Sequence, residues 1–359
     1  MTYTQEPPNK TQNSPAGVRV VLKPATERTS QAPDAGSGDV SSSTSSIYLK
    51  DWLSEFDLSP TWIQLRPQQG VSKAIPVLSE TQNYPLLLQS ICQQLGNRTV
   101  VQQGDKHYEI SGVEVDTDDL YRLRLILQPN LPLPKSINRA IHALFFQWIA
   151  NADPKIAETL HDSANLPLTI SNRVFKDNSV EVRITLLTRQ LLSPLLLGLS
   201  QDLGKKIAIA KIPCLLISQI DLANSTSYKD LFNTTIKKNM GFRFYSPTSF
   251  KQNNYIQPFP LPELVFGNLL RRWNTFAPAE YHFPKVNWQG ITAAYDLKTK
   301  IIKLQKDEIG SVGWVRYEFK NEEQATIATI LANFANFSGI GRKTALGMGR
   351  VQLAVNSNQ

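Results

Sequence analysis

The sequence is poor in cysteine and histidine, and it has no long hydrophobic run. Only two cysteines, Cys92 and Cys214, occur among 359 residues, and they lie far apart. This spacing offers neither a disulfide framework nor a zinc site, which favours a reducing compartment and predicts a cytoplasmic protein. The longest apolar run, residues 191–199, is far too short to span a bilayer, and residues 1–17 lack the hydrophobic core of a signal peptide. We therefore expect a soluble protein with no membrane contact.

Positive charge exceeds negative charge, with a net charge of +8. An excess of this sign indicates a polyanionic partner, and nucleic acid is favoured over a membrane surface. No cluster of His, Cys, Asp and Glu has the spacing of a metal site, so we expect neither a metal nor another cofactor.

The composition changes at residue 47. Residues 1–46 are rich in Ser, Thr, Pro, Gln and Asn, which predicts a disordered tail because so few apolar groups cannot offset the entropy of ordering. Residues 47–114 are interpreted as a small N-terminal extension of unknown role, with a helix at 84–95 and a hairpin turn at Gly104 and Asp105.

The remainder alternates between strand and helix patterns. Residues 115–225 follow the order β-α-β-β-α-β of a ferredoxin-like domain, including one strand across 205–218. A less regular copy of this order follows over residues 226–355 and ends in a glycine-rich loop. The predicted fold class is α+β, with tandem ferredoxin-like (RRM-like) domains behind the tail and the extension.

The stretch FSGIGRKTALGMGRV, residues 337–351, is called the glycine segment below. It differs from a P-loop because Lys343 and Thr344 lie between the glycines, and from a dinucleotide-binding loop because a helix precedes it. We interpret it as a helix-to-strand loop whose backbone N–H groups form a nest for the phosphates of a polymer, with solvated charges on a plain turn as the alternative.

Several motifs in order resemble one known family. The glycine segment is similar to the glycine-rich signature of the RAMP superfamily of CRISPR proteins. The stretches DPKIAETLHDS with LPLTIS, FRFYSPTSF, LPELVFGNLLRRWN and GWVRYEF resemble the Cas-six type of precursor-CRISPR-RNA-processing endoribonucleases. The resemblance covers residues 115–354.

This resemblance implies a metal-independent endoribonuclease whose partner is CRISPR repeat RNA, with other CRISPR effector subunits as further partners. The 2′-hydroxyl would attack the scissile phosphate once per repeat, leaving a 2′,3′-cyclic phosphate, a 5′-hydroxyl and a mature guide RNA. His161 matches the family's catalytic histidine, and a histidine can serve either proton-transfer role at neutral pH. His142 is interpreted as a structural or flanking residue.

The sequence departs from the family at two positions. Phe146 stands where some relatives carry a tyrosine, and the stretch after His161 lacks their lysine. We therefore assign charge stabilisation to Arg173 or Lys176, or to a basic residue reaching across from the second domain. The predicted RNA-binding residues are Gly339, Gly341, Arg342, Lys343, Thr344, Gly347, Gly349 and Arg350. The alternative function is a catalytically silent RNA-binding RAMP subunit of a CRISPR effector complex.

Overall fold

The structure is a computed structural model that describes residues 17–25, 47–67, 71–97, 99–134 and 137–354. Three units follow one another along the chain, each with its own sheet and its own buried apolar cluster. Within the described ranges, no helix combines the length and the hydropathy needed to cross a bilayer.

The N-terminal unit is a six-stranded sheet with one helix. Its elements are β1 (Val18–Pro24), β2 (Ile47–Tyr48), β3 (Thr61–Gln64), β4 (Ser72–Val77), α1 (Tyr84–Leu95), β5 (Val100–Gln103) and β6 (Lys106–Val115). The spatial order is β2-β5-β6-β1-β4-β3, and every pair is antiparallel except β2 with β5. The helix over 84–95 and the turn at Gly104 are confirmed.

The prediction of a disordered tail over 1–46 is wrong for residues 18–24. This segment forms β1, which lies between β6 and β4 and buries Val18, Val20 and Leu22 in the core of the N-terminal unit. The apolar residues alternate as a strand requires, but the partners are about 50 and 90 residues away, so no local signal marks the strand. The rest of the predicted tail, residues 1–16 and 26–46, lies outside the described residues.

The second unit is a ferredoxin-like domain. Its elements are β7 (Leu120–Pro129), α2 (Asn138–Ala152), α3 (Pro154–Asp162), β8 (Leu168–Val174), β9 (Val180–Leu186), α4 (Leu192–Ser200), β10 (Lys206–Ile209), β11 (Ile212–Leu216) and β12 (Asp221–Thr226). Strand β7 pairs with β9 on one side, and β8 follows β9. On its other side β7 pairs with β11 near one end and with β12 near the other.

The expected single strand over 205–218 is instead the hairpin of β10 and β11. Ala210 and Lys211 both have positive φ values, of 50° and 68°, and form its two-residue turn. Two consecutive residues with positive φ are typical of the turn that joins two antiparallel strands. The apolar pattern was read correctly as β structure, but the turn contains neither glycine nor asparagine to mark it.

The third unit is a second ferredoxin-like domain. Its elements are α5 (Tyr228–Phe232), β13 (Asn239–Thr248), β14 (Phe250–Gln252), β15 (Tyr255–Gln257), α6 (Pro262–Phe276), β16 (Ile291–Lys303), β17 (Asp307–Glu318), α7 (Glu322–Ser338) and β18 (Val351–Ala354). The sheet order is β16-β17-β13-β18, with α6 and α7 on one face. The α+β fold with tandem ferredoxin-like domains is therefore confirmed.

Neighbouring units share core residues. Ile63, Ile75 and Val77 of the N-terminal sheet pack into the core of the first ferredoxin-like domain, and so does Ala345 of the glycine segment. The backbone N–H of Arg66 also donates to the carbonyl of Ile220 at 2.8 Å. The glycine segment thus lies at the boundary between the two ferredoxin-like domains.

Candidate active site

The helix that carries His161 is fixed at both ends. The Oδ1 atom of Asp153 accepts the backbone N–H groups of Lys155 and Ile156 at 3.0 and 3.1 Å, which caps the start of α3. Leu160 is buried in the domain core near the end of the helix. His161 follows it in the last turn and is exposed, so the helix presents its imidazole to solvent.

A second histidine lies close to His161 on the neighbouring helix. The ring of Phe146 is 4.8 Å from the ring of His142 and 6.1 Å from the ring of His161, measured between centroids. These three side chains form what we call the histidine cluster. Phe146 packs against the domain core, so both imidazoles lie beside one ring whose position is fixed. The sequence predicts a structural or flanking role for His142, and the structure places its ring beside the same phenylalanine as the ring of His161.

The two histidines have different surroundings. His142 is half-buried, and burial lowers the pKa of its imidazole, with smaller contributions from His161 and from Arg139. A lowered pKa keeps this imidazole neutral at pH 7, the form that accepts a proton. Arg139, exposed one helical turn before His142, supplies a positive charge beside the cluster. The spacings of three and four residues from Arg139 to His142 to Phe146 place them on one helix face and could have been read from the sequence.

The structure does not bring Arg173 or Lys176 to the histidine cluster. Asn172 of β8 donates from Nδ2 to Oδ1 of Asn138, the first residue of α2, so Asn172 lies on the helix-covered face of the sheet. Neighbouring side chains along a strand point to opposite faces, which puts Arg173 on the other face. Lys176 is exposed in the turn that follows β8. Strand alternation therefore places the Arg173 side chain on the face away from the helices, and charge stabilisation by Arg173 or Lys176 stays a prediction.

The backbone of the glycine segment faces the protein. The N–H groups of residues 340, 341, 342, 349 and 350 all donate to acceptors inside the protein, between 2.8 and 3.0 Å. Gly347 has a φ of 91°, and a Cβ there would lie 2.6 Å from Oδ1 of Asn138. The nest proposed from the sequence is therefore wrong for these five N–H groups, since their hydrogen bonds join the segment to its neighbours. It packs directly against the start of α2, the helix that bears His142.

The polar side chains of the glycine segment are also paired. Arg342 and Lys343 both bind the carboxylate of Glu308, Arg342 at 3.0 Å. The hydroxyl of Thr344 accepts a hydrogen bond from Nη1 of Arg272 at 3.1 Å. The side chains of Arg342 and Lys343 remain 27% and 29% exposed, so each can still contact a ligand. RNA contacts by Gly339, Gly341, Arg342, Lys343, Thr344, Gly347, Gly349 and Arg350 stay a prediction.

Arg272 links the second domain to the segment that follows His161. Besides Thr344, its guanidinium donates from Nη2 to the carbonyl of Leu166 at 3.5 Å, five residues after His161. Burial lowers the pKa of Arg272 to about 10, well above neutral pH, so the guanidinium remains charged. Arg272 is thus a basic residue that reaches across from the second domain. Its hydrogen bond to the carbonyl of Leu166 holds the backbone of the segment that follows His161.

A groove with four arginines lies on the far side of the first sheet from the histidine cluster. Arg183 and Arg350 share the carboxylate of Glu181, at 3.2 and 3.9 Å. Burial, together with the positive charges of its arginine neighbours, lowers the pKa of Arg122 to about 10. Against four guanidinium groups there are two carboxylates, and the Nε atom of each arginine has no partner among the described residues. We call this set the arginine groove: Arg122, Arg124, Arg183 and Arg350.

The arginine groove is open enough to admit part of an anionic ligand. One cavity of about 180 Å³ is lined by Arg122, Arg183, Tyr245, Asn336, Val351 and Gln352. Among the described residues, no three His, Cys, Asp or Glu side chains are grouped so as to hold a metal ion. The remaining histidines lie elsewhere. His107 is exposed in β6, and His282 bonds through Nε2 to the carbonyl of Ala277 at 2.9 Å.

Comparison with known proteins shows that part of the chain is similar to a CRISPR-associated protein family. Residues 242–351 match the family model described as CRISPR-associated endoribonuclease Cas6. A curated Cas6 endoribonuclease of Streptococcus thermophilus is 22% identical over 160 residues, and the match spans 42% of this chain but only 65% of that relative's length.

Solved structures agree with the fold. A Thermus thermophilus Cas6 in a product complex has a TM-score of 0.60 and 24% identity, over 66% of this chain and 100% of that one. Another Cas6 product complex has a TM-score of 0.55 and 25% identity, over 66% of this chain and 99% of that one. Residues 242–351 are therefore similar to the Cas6 endoribonuclease family, and the two ferredoxin-like domains share the fold of solved Cas6 structures.

Proposed function

We propose that this chain is an endoribonuclease that binds CRISPR repeat RNA and cleaves the precursor transcript once per repeat to release guide RNA. The observation that carries the proposal is the histidine cluster, in which His142 and His161 flank Phe146 on an accessible surface. The match of residues 242–351 to the Cas6 endoribonuclease model supports the substrate class. Relatives of known structure hold a product or a substrate mimic, which agrees with RNA as the ligand.

Cleavage would proceed by attack of the ribose 2′-hydroxyl on the adjacent phosphorus. Neutral His142 takes the 2′-hydroxyl proton while the new O2′–P bond forms and the P–O5′ bond breaks. Protonated His161 gives its proton to the departing O5′. The products are a 2′,3′-cyclic phosphate and a 5′-hydroxyl, and the two histidines exchange protonation states. This route needs no metal, since side chains supply both proton transfers.

Charge stabilisation at the phosphorane falls to Arg139. Arg139 is exposed one helical turn before His142, whereas strand alternation places Arg173 on the opposite face of the sheet. The arginine groove and the exposed parts of Arg342 and Lys343 would hold backbone phosphates of the same RNA.

The test is single-turnover cleavage of a repeat RNA in excess EDTA. We expect His161→Ala and His142→Ala each to slow cleavage at least about 100-fold, as removal of a general acid or base does. His107→Ala, an exposed histidine of the N-terminal unit, is the matched control and should retain full activity. A repeat with 2′-deoxyribose at the scissile position should bind but stay intact.

Two results would contradict the proposal. Cleavage that needs a divalent ion, or that survives both the His161 substitution and the 2′-deoxy substrate, would exclude this chemistry. Tight binding of the repeat by the wild-type chain without any cleavage would instead support a catalytically silent RNA-binding subunit. That second function is favoured by one observation, namely the phenylalanine at position 146, where some relatives carry a titratable tyrosine.

A further inference from the structure

The second ferredoxin-like sheet has one covered face and one free face. Phe242, Val315 and Tyr317 point into the core beneath α6 and α7. Their neighbours along the strands alternate to the other face, where Arg243, Trp314 and Arg316 are all exposed. We call this other face the open face. It carries an aromatic side chain at its centre, since Trp314 lies on the inner strand β17 and is 43% exposed.

Trp314 is not part of the buried apolar cluster of its own domain. Its cross-strand neighbours are Arg243 on β13 and Asp296 on β16. None of the aromatic ring contacts among the described residues involves it, although β17 lies beside a core that is dense in such contacts. A large indole left in solvent at the middle of a sheet offers a free ring face to a ligand.

The charge of the open face indicates the ligand. Four cations lie around Trp314 and the neighbouring Tyr245. Two carboxylates share this part of the open face, Asp296 directly opposite Trp314 and Glu318 four residues after it. The guanidinium groups of Arg243 and Arg350 lie 5.8 and 5.4 Å from the centroid of the Tyr245 ring. The four cations are Arg243, Lys298, Arg316 and Arg350.

The surface beside Trp314 is also flat. Gly241, Ala294 and Ala354 occupy the row that contains Arg316, so no bulky side chain stands over this part of the sheet. A flat, basic, four-stranded sheet with an exposed aromatic residue on its third strand has the features with which ferredoxin-like RNA-binding modules stack unpaired bases. Double-stranded RNA cannot use such a ring because its bases are already stacked.

We propose that the open face binds a single-stranded segment of RNA, with one base stacked on Trp314 and the flanking phosphates on Arg243 and Arg316. The proposal deepens the proposed function, since it takes RNA as the substrate class and adds the part of the molecule that is read outside the cleavage site. Tyr245 lines the arginine groove as well as the open face, and its hydroxyl donates to Oε1 of Gln352 at 3.2 Å. The bound strand therefore continues from the open face into the arginine groove, on the side of the first sheet opposite the histidine cluster.

The experiment measures binding of a fluorescent ten-nucleotide single-stranded RNA to the full chain, without any cleavage site. Trp314→Ala should weaken binding between about 5-fold and about 100-fold, the range for loss of one base–aromatic stack. Trp314→Phe should keep the affinity within about 3-fold, because phenylalanine retains a stacking face. Arg316→Gln should lower the slope of log affinity against log salt by about 0.7, the value for one phosphate contact of a single strand.

Tyr255→Ala is the matched control, because Tyr255 is 79% exposed on the β14–β15 hairpin and away from the open face. It should leave binding unchanged, and circular dichroism verifies that each variant is folded. Equal losses for Tyr255→Ala and Trp314→Ala, an unchanged affinity for Trp314→Ala, or no binding of the oligonucleotide by the wild type would each overturn the proposal. If the wild type binds no oligonucleotide, the exposed indole of Trp314 would instead be a contact for a protein partner.

Cleavage of a repeat hairpin is measured beside the binding assay and separates the two proposals. If only the histidine variants lose cleavage and they bind the oligonucleotide normally, the result supports both the proposed function and the RNA site on the open face. Oligonucleotide binding that depends on Trp314, in a wild-type chain that cleaves no repeat, refutes the proposed function and retains the open face as an RNA site.

Discussion

Gly341 offers a direct test of whether the glycine segment is built for folding or for RNA. Its φ of 88° lies in the left-handed region, and a Cβ would be 2.5 Å from the carbonyl oxygen of Ser249 and 3.3 Å from Cγ2 of Thr248. That same carbonyl accepts the N–H of Arg342 at 3.0 Å. An alanine at position 341 can therefore fit only if Ser249 moves and this hydrogen bond weakens.

Two contributions determine how much Gly341→Ala destabilises the fold. A residue with a Cβ in the left-handed region costs about 1–2 kcal/mol. Displacing a buried carbonyl from its donor costs about a further 1–3 kcal/mol. We expect Gly341→Ala to lower the free energy of unfolding by about 2–5 kcal/mol, measured by urea denaturation.

The matched control is Gly267→Ala in the middle of α6. No atom lies within 4 Å of the position a Cβ would take there, and the backbone is helical. This substitution should raise the free energy of unfolding by about 0.5–1 kcal/mol, because alanine favours helix interiors over glycine. The two glycine substitutions, both in the second ferredoxin-like domain, should thus change the free energy of unfolding in opposite directions. A Gly341→Ala protein of wild-type stability that binds RNA poorly would refute the reasoning and restore the segment as a direct RNA contact.

Three further predictions concern single side chains. Arg272→Met should lower the free energy of unfolding by about 2 kcal/mol in urea denaturation, because the hydroxyl of Thr344 loses a charged donor. The pKa of His142 is lowered on folding, so the unfolded chain binds more protons than the folded chain below about pH 6.5. The free energy of unfolding therefore falls as the pH drops through that range. His142→Phe should reduce this pH dependence, measured by urea denaturation at pH 7.5 and 5.5. The pKa of Glu308 is lowered by its hydrogen bond from Lys343 and by further basic neighbours, so its contribution is present above about pH 4.5 and is lost as the pH falls through the folded value. Glu308→Gln should therefore lower the free energy of unfolding by about 1 kcal/mol at pH 7, and this loss should shrink as the pH falls below about 4.5.

Local patterns in the sequence predicted most of the helices. The helix over 84–95, the Asp153 cap of α3 and the apolar face of α2 are all present in the structure. These features depend on residues three to four positions apart, so a short window contains the information. The order of the motifs also predicts the similarity to Cas6 endoribonucleases that residues 242–351 show.

Local patterns do not predict where a strand continues or which distant strand it pairs with. The pattern of residues 288–297 and 300–305 predicts two separate strands, yet β16 runs unbroken from Ile291 to Lys303 because β17 pairs with it along this length. Strand β1 was hidden in a polar tail, since its partners β4 and β6 are distant in the sequence. Pairing of this kind is decided by the register of other strands and leaves no local mark.

For the candidate site, the sequence alone determined which chemistry the chain can perform, and the fold decided which groups perform it together. The residue types and motifs pointed to His161 as a proton-transfer group and to a basic surface for a polyanion. Tertiary packing brought His142 across to His161 and sent Arg173 to the opposite face of the sheet. It also directed the N–H groups of the glycine segment inward, to Asn268 and Ser249 among others. The reason is physical: a motif specifies side chains, whereas the partner of each donor and the face of each strand depend on segments a hundred residues away.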